Sequence, residues 1–170
     1  ATAQVALSDR AGAGRLALYD NPEMNSLHDT PGVAAAGAET VALVTLAAVA
    51  DALDGAEPAL VKLDAEGEEA RIVAGAADLL ARWSPLVMLE VRDRDELRTD
   101  AIGHLAELGY VPYRLVPGLG LLVPLEPAAP LDGFALNLFC CKPDRARRLA
   151  ARGLLVEADS RVARLGLPHP

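Results

Sequence analysis

The chain has 170 residues, of which 52% are hydrophobic and 4% aromatic, so one domain of this size must build its core from Ala, Leu and Val. Sixteen basic residues against 24 acidic ones leave a net charge of −8, a surface that repels phosphate backbones and argues against a nucleic-acid partner. No apolar run approaches the ~20 residues of a membrane span, and no charged start leads into a signal-like segment, which excludes a membrane-spanning reading. The chain opens Ala-Thr-Ala-Gln-Val-Ala-Leu-Ser-Asp, without Met and already strand-like, and reads as a piece of a longer protein.

In chain order, Gln4 to Leu7 and Arg15 to Tyr19 are strand candidates around Asp9 to Gly14, whose Gly and Asp content predicts a hairpin turn. Residues 20–38 form a polar, then Ala/Gly-rich loop, long enough to be functional or disordered. Thr40 to Val44 is strand-like, and Thr45 caps a helix that runs to about Leu53 and stops at Asp54-Gly55. Ala59 to Leu63 is a short apolar strand. After Asp64 to Gly67, Ile72, Val73, Ala76, Leu79, Leu80 and Trp83 share one helical face, and Ser84-Pro85 ends the helix. Leu86 to Leu89 is a second apolar strand ending in Glu90, so residues 59–90 form a strand–helix–strand unit with parallel strands.

Asp93 and Glu96 have capping-box spacing for a helix from Arg94 to Leu108, closed by Gly109. Tyr110 to Leu115 and Leu121 to Leu125 flank Pro117-Gly118-Leu119-Gly120 as a hairpin. Glu126 to Pro130 is a Pro-rich loop, and Ala135 to Cys141 a last strand. An Arg-rich helix runs from Pro143 to about Gly153. The domain body is thus residues 1–153, with 154–170 as a tail. Cys140 and Cys141 point to opposite faces of their strand and read as free thiols of a cytoplasmic protein. The fold class is α/β: parallel units followed by antiparallel strands in one mixed sheet.

In open α/β sheets ligands bind beyond the carboxyl ends of the strands, where Asp64, Glu66 and Glu90 fall. From spacing alone, Asp64 and Glu66 are either a ligand-facing pair or an acidic cluster serving the helix dipole, as Glu68 and Glu69 are expected to do. Lys62 alternates onto the face of Asp64 and is expected to pair with a nearby carboxylate. Asn25 and Ser26 line an acceptor site or make an Asx-type turn, and His28 stands in the same loop. His104 reads as a half-buried structural histidine. Gly12-x-Gly14 and Gly118-x-Gly120 lead into strands rather than helices, which rules out a phosphate cradle. No spacing of Cys, His or carboxylates marks a metal site, though acidic residues in a cleft can recruit an ion.

The stretch Leu-Val-Lys-Leu-Asp-Ala-Glu-Gly-Glu-Glu from Leu60, Val-Ala-Gly-Ala at 73–76, Ser84-Pro85 and Met88-Leu89-Glu90 resembles the FkbM-type methyltransferase family. Val5 to Asp9 is similar to that family's third strand, Asn25-Ser26-Leu27 to its serine loop, and Leu108-Gly109-Tyr110 to its helix exit, so the resemblance spans most of residues 3–142. It implies a class I, Rossmann-like fold with helices on both faces of the sheet. The implied activity is transfer of a methyl group from S-adenosylmethionine to a hydroxyl of a sugar or polyketide-like small molecule. By the same resemblance Asp64, Glu66 and Glu90 are catalytic, Ser8, Asp9 and Asp64 touch the cofactor, and Asn25, Ser26 and His28 touch the acceptor. The sequence departs from the family in two respects: Ala47 stands where Asp is usual, and the first two strand–helix units, with the Gly-rich cofactor loop, are absent. The expectation is therefore the back half of such an enzyme, covered by a homodimer or by its missing N-terminal segment. The alternatives are a non-catalytic remnant or assembly domain, and a carboxylate-based hydrolase using Asp64, Glu66 and Glu90.

Overall fold

The computed structural model describes residues 3–52, 56–93, 96–97, 99–125 and 136–157. Strands β1 (Ala6–Leu7), β2 (Gly12–Leu18) and β3 (Gly37–Val44) form a sheet of order β1-β3-β2. The hairpin expected across Asp9 to Gly14 does not form. Instead β1 runs parallel to β3, while β2 pairs antiparallel along its other edge, with Gly12 opposite Leu43 and Leu18 opposite Gly37. Gly12 and Gly14 are strand residues, and a Cβ on Gly14 would come within 2.8 Å of Leu43. The glycine content that suggested a turn serves close packing inside a strand.

The segment between β2 and β3 is tied down. Asn25 Oδ1 accepts from the Tyr19 amide at 2.9 Å, and the Thr30 amide donates to the Tyr19 hydroxyl at 2.7 Å. Helix α1 (Leu46–Asp51) starts as expected, with the Thr45 hydroxyl accepting from the Ala48 amide at 3.2 Å. Its expected end at Leu53 to Gly55 lies outside the described residues.

Strand β4 (Leu60–Leu63) pairs in parallel with β5 (Leu86–Glu90), Leu60 opposite Leu86 and Leu63 opposite Leu89. The crossover between them is two helices rather than one, α2 (Glu69–Gly75) and α3 (Ala77–Trp83). The break falls at Ala76, with φ −114° and ψ 12°. Ile72, Val73, Ala76, Leu79, Leu80 and Trp83 are all buried on either side of it. The apolar face read from the sequence therefore holds although the helix does not run through.

The capping box at Asp93 and Glu96 is overturned. Strands β6 (Arg92–Asp93) and β7 (Glu96–Leu97) pair antiparallel with Asp93 opposite Glu96, and helix α4 (Asp100–Glu107) begins after Thr99. A four-residue span suits the mouth of a tight hairpin as well as a helix start, and the backbone pairing prevails. Residues 94, 95 and 98 lie outside the described residues. His104, expected half-buried, is exposed on α4, 3.9 Å from Glu107.

Strands β8 (Val111–Val116) and β9 (Leu121–Pro124) make the expected hairpin, with Gly120 at φ 60° closing its turn. Strand β10 (Asn137–Cys141) inserts antiparallel between β5 and β8, so the main sheet has the order β4-β5-β10-β8-β9. Helix α5 (Pro143–Ala150) follows. The expected loop at Glu126 to Pro130, and residues 158–170 of the tail, lie outside the described residues. Within the tail, Leu155 is buried and the Leu122 amide donates to the Leu154 carbonyl at 2.9 Å.

The result is a mixed α/β architecture with mixed sheets and, among the described residues, five α-helices. Ile72, Leu80, Leu89, Leu105 and Leu138 are among the fully buried side chains of the main core, each contributing roughly 1.5–3 kcal/mol by leaving water. Leu138 and Cys140 belong to this core, whereas Phe139 and Cys141 pack with a second cluster around Tyr113, Leu122 and Ala146. Both thiols are free, and burial raises each to about 12, so they are inert packing groups.

Candidate active site

The chain leaves β4 through Asp64 to Gly67 and must turn at once into α2. It does so with two consecutive left-handed residues, Glu66 at φ 46° and Gly67 at φ 103°. Gly67 takes that conformation freely, while Glu66 carries a cost of about 1–2 kcal/mol. Glu69 holds the bend from inside: its Oε1 accepts from the Ala65 amide at 2.6 Å and its Oε2 from the Gly67 amide at 3.0 Å. Ser26 holds it from outside, its hydroxyl donating to the Glu66 carbonyl at 2.7 Å and accepting from the His28 amide at 3.0 Å.

This bend presents Asp64 and Glu66 beside Glu90, at the end of the neighbouring strand, with a carboxylate oxygen of each within 4.8 Å of the others. Hydrogen bonding toward Asp64, aided by partial burial and by the negative charges of Asp64 and Glu66, raises Glu90 to about 7. The Asp64 carboxyl is held below its ordinary range because it accepts from Glu90 and from Lys62, whose Nζ is 2.5 Å away. The pair thus shares one proton until about neutrality. Lys62 is the expected structural partner. The three carboxylate oxygens are close enough to share a cation, with the Lys62 ammonium already on Asp64.

A second network adjoins the first. Glu68 is 2% exposed. Its Oε1 accepts from the Ser8 hydroxyl at 2.5 Å and lies 3.5 Å from Arg71, and its Oε2 is 2.6 Å from His28 Nε2. Asp9 stands 3.6 Å from the same Arg71. A cleft of about 240 Å³ joins the two networks, lined by His28, Gly67, Glu69, Glu90 and Asp100 among others.

Tertiary structure therefore gathers most of the expected site residues around one bend. Asp64, Glu66 and Glu90 form the acidic cluster; Ser8, Asp9 and His28 join through Glu68 and Arg71; Ser26 fixes the bend. Asn25 is set apart by its bond to the Tyr19 amide and makes a turn. Glu68 and Glu69, read from sequence as dipole charges, are instead buried fasteners of the site. Arg71 and Asp100 were not singled out at all. The Glu68–Arg71 spacing of three residues was a legible hint, but Glu68's partners Ser8 and His28 lie 60 and 40 residues away and left no local signal.

These features describe an acidic cluster at the carboxyl edge of a parallel strand pair, the usual place for small-molecule chemistry on an α/β sheet. The family model for the methyltransferase FkbM domain matches residues 3–112, and the chain belongs to that family of methyltransferases. No curated protein and no solved structure matches it. Among the described residues, no helix is long and apolar enough to cross a membrane.

Proposed function

We propose that this chain takes part in methyl transfer from S-adenosylmethionine to a hydroxyl of a sugar or polyketide-like small molecule, on a class I, Rossmann-like framework with helices on both faces of the sheet. The observation that carries this reading is the convergence of Asp64, Glu66 and Glu90 beside the cleft at the ends of two parallel strands. An anionic cluster suits a ligand that carries a positive sulfur. At about 240 Å³ the cleft is smaller than the roughly 300–1,000 Å³ of a complete small-molecule site, so it fits the reacting end of the cofactor rather than a whole nucleoside. The alternation of Leu138 and Cys140 with Phe139 and Cys141 between two clusters supports a sheet covered on both sides.

S-adenosylmethionine, when bound, supplies a methyl group on a cationic sulfur. Asp64 and Glu66 favour that cation electrostatically, and Glu90 faces the acceptor. Ser8 and Asp9 form the rim toward the nucleoside; Ser8 acts there chiefly by fixing Glu68, since its hydroxyl is already engaged. His28 contacts the acceptor, while Asn25 and Ser26 shape the loop that presents it. Because the reaction is an in-line displacement, orientation within the cleft is the main contribution asked of the protein.

Calorimetric titration of S-adenosylmethionine and S-adenosylhomocysteine tests the reading. Binding of both is expected, with Asp64→Ala weakening the cationic ligand about tenfold more than the neutral one, the equivalent of ~1.4 kcal/mol of lost charge attraction. If neither ligand binds, the methyl-transfer reading loses its support and the non-catalytic remnant or assembly domain gains. The carboxylate-hydrolase alternative gains a raised carboxyl at Glu90, but carboxylate oxygens of Asp64, Glu66 and Glu90 lie within 4.8 Å of one another. Glycosidase pairs stand about 5–9.5 Å apart, which counts against it.

A further inference from the structure

We propose that Glu68 and His28 form a proton-accepting dyad, in which buried Glu68 holds His28 Nε2–H and leaves Nδ1 to take the proton of an acceptor hydroxyl bound in the cleft; this role rests on the methyltransferase reading above. Lys62 already occupies Asp64 in the acidic cluster, whereas His28 lines the same cleft as Glu90. A carboxylate can only accept, so the 2.6 Å contact puts a hydrogen on Nε2, and in the neutral ring the lone pair is then on Nδ1. Nδ1 has no hydrogen-bond partner among the described residues, and the side chain is 46% exposed.

Glu68 is built for this task. The Ser8 hydroxyl donates to its Oε1, with the Arg71 guanidinium 3.5 Å away, and its burial keeps water from competing for His28. The His28 backbone is fixed as well, through Ser26, to the bend that carries Glu66. A histidine oriented by a buried carboxylate is a recurrent general-base arrangement. In the step, the acceptor oxygen forms its new bond to the methyl carbon as the carbon–sulfur bond breaks, the pair staying on sulfur. The acceptor's proton passes to Nδ1, and the resulting imidazolium stays paired with Glu68.

Two measurements decide it. In ligand-free protein above neutral pH, long-range proton–nitrogen NMR, assigned with a His28→Ala variant, is expected to show His28 with Nε2–H and a bare Nδ1. Glu68→Gln, its fold checked by circular dichroism, is expected to mix the two tautomers. A wild-type ring protonated at Nδ1 overturns the proposal. In methyl transfer to a methyl glycoside, His28→Ala is expected to lower kcat about 100-fold or more, with cofactor affinity unchanged and added imidazole restoring part of the rate. An unimpaired kcat in His28→Ala removes the dyad and leaves methyl transfer standing. If wild-type protein binds no cofactor, the methyltransferase reading itself falls, and the dyad's role with it, whatever the tautomer.

Discussion

At the end of β5, Glu90 titrates at about 7 because it shares a hydrogen bond with Asp64, is partly withdrawn from water, and faces the charges of Asp64 and Glu66. The folded state therefore holds this proton more tightly than the unfolded chain, where the ordinary value is 4.5. Between about 4.5 and about 7 the native state binds more protons, and stability falls as pH rises through that window. Asp64 acts in the opposite sense: its depressed carboxyl contributes stability above its ordinary 3.8, lost as pH falls through the folded value. The urea midpoint of the free protein is thus expected to decline modestly from mildly acidic to neutral pH, since Glu90 is only partly buried and solvent screens the effect. Glu90→Gln should flatten the decline; a slope unchanged in that variant would show that the proton lies elsewhere. The same ionisation makes the cluster more negative, so under the proposed methyl-transfer role preference for S-adenosylmethionine over S-adenosylhomocysteine should grow as pH rises through about 7.

Among the elements, the approach of β1 to α2 matters most to the site, because it brings Ser8 to Glu68. Gly75 permits it: a Cβ there would lie 2.7 Å from the Asp9 Cα, against backbone that has no flexible end to move aside. Gly75→Ala is expected to cost about 1–3 kcal/mol by overpacking, read as a lowered urea midpoint. It should also loosen the Ser8–Glu68 bond and disturb the His28 tautomer. Unchanged stability would mean that the two elements stand further apart than described. The family pattern contained this glycine as part of an Ala-Gly-Ala step, but its physical use, backbone against backbone across two elements, emerges from the packing.

For the molecule as a whole, the helical crossover and the C-terminal elements are tied at the end of α3. Ser84, left-handed at φ 49°, donates its hydroxyl to Asp144 at 2.6 Å, and Arg145 Nε donates to the Ser84 carbonyl at 2.9 Å. The buried Tyr110 hydroxyl donates to the Leu80 carbonyl at 2.8 Å, and burial raises its pKa. Tyr110→Phe leaves that carbonyl without its side-chain donor and is expected to lower stability by about 1 kcal/mol, or ~2–4 °C in Tm for a chain of this size. Trp83 is the single tryptophan and lies in the main core. Its fluorescence should therefore follow the same transition as far-UV circular dichroism; separate transitions would show that the three-stranded and five-stranded sheets unfold independently.

Local pattern determined the parallel strand pair, the buried face from Ile72 to Trp83, the Thr45 cap, the β8–β9 hairpin and the family, because each rests on residues within a few positions of one another. It also placed Asp64, Glu66 and Glu90 at strand ends. Where two structures share one local pattern, tertiary pairing decided: Gly12 and Gly14 became strand rather than turn, Asp93 and Glu96 a strand pair rather than a helix cap, and the long helix two short ones. The roles of Glu68 and Glu69 were likewise beyond the sequence. A carboxylate after a strand looks the same whether it faces water or is buried. That difference is set by Ser8, His28 and Arg71 for Glu68, and for Glu69 by the backbone amides of a bend whose shape exists only in the folded chain.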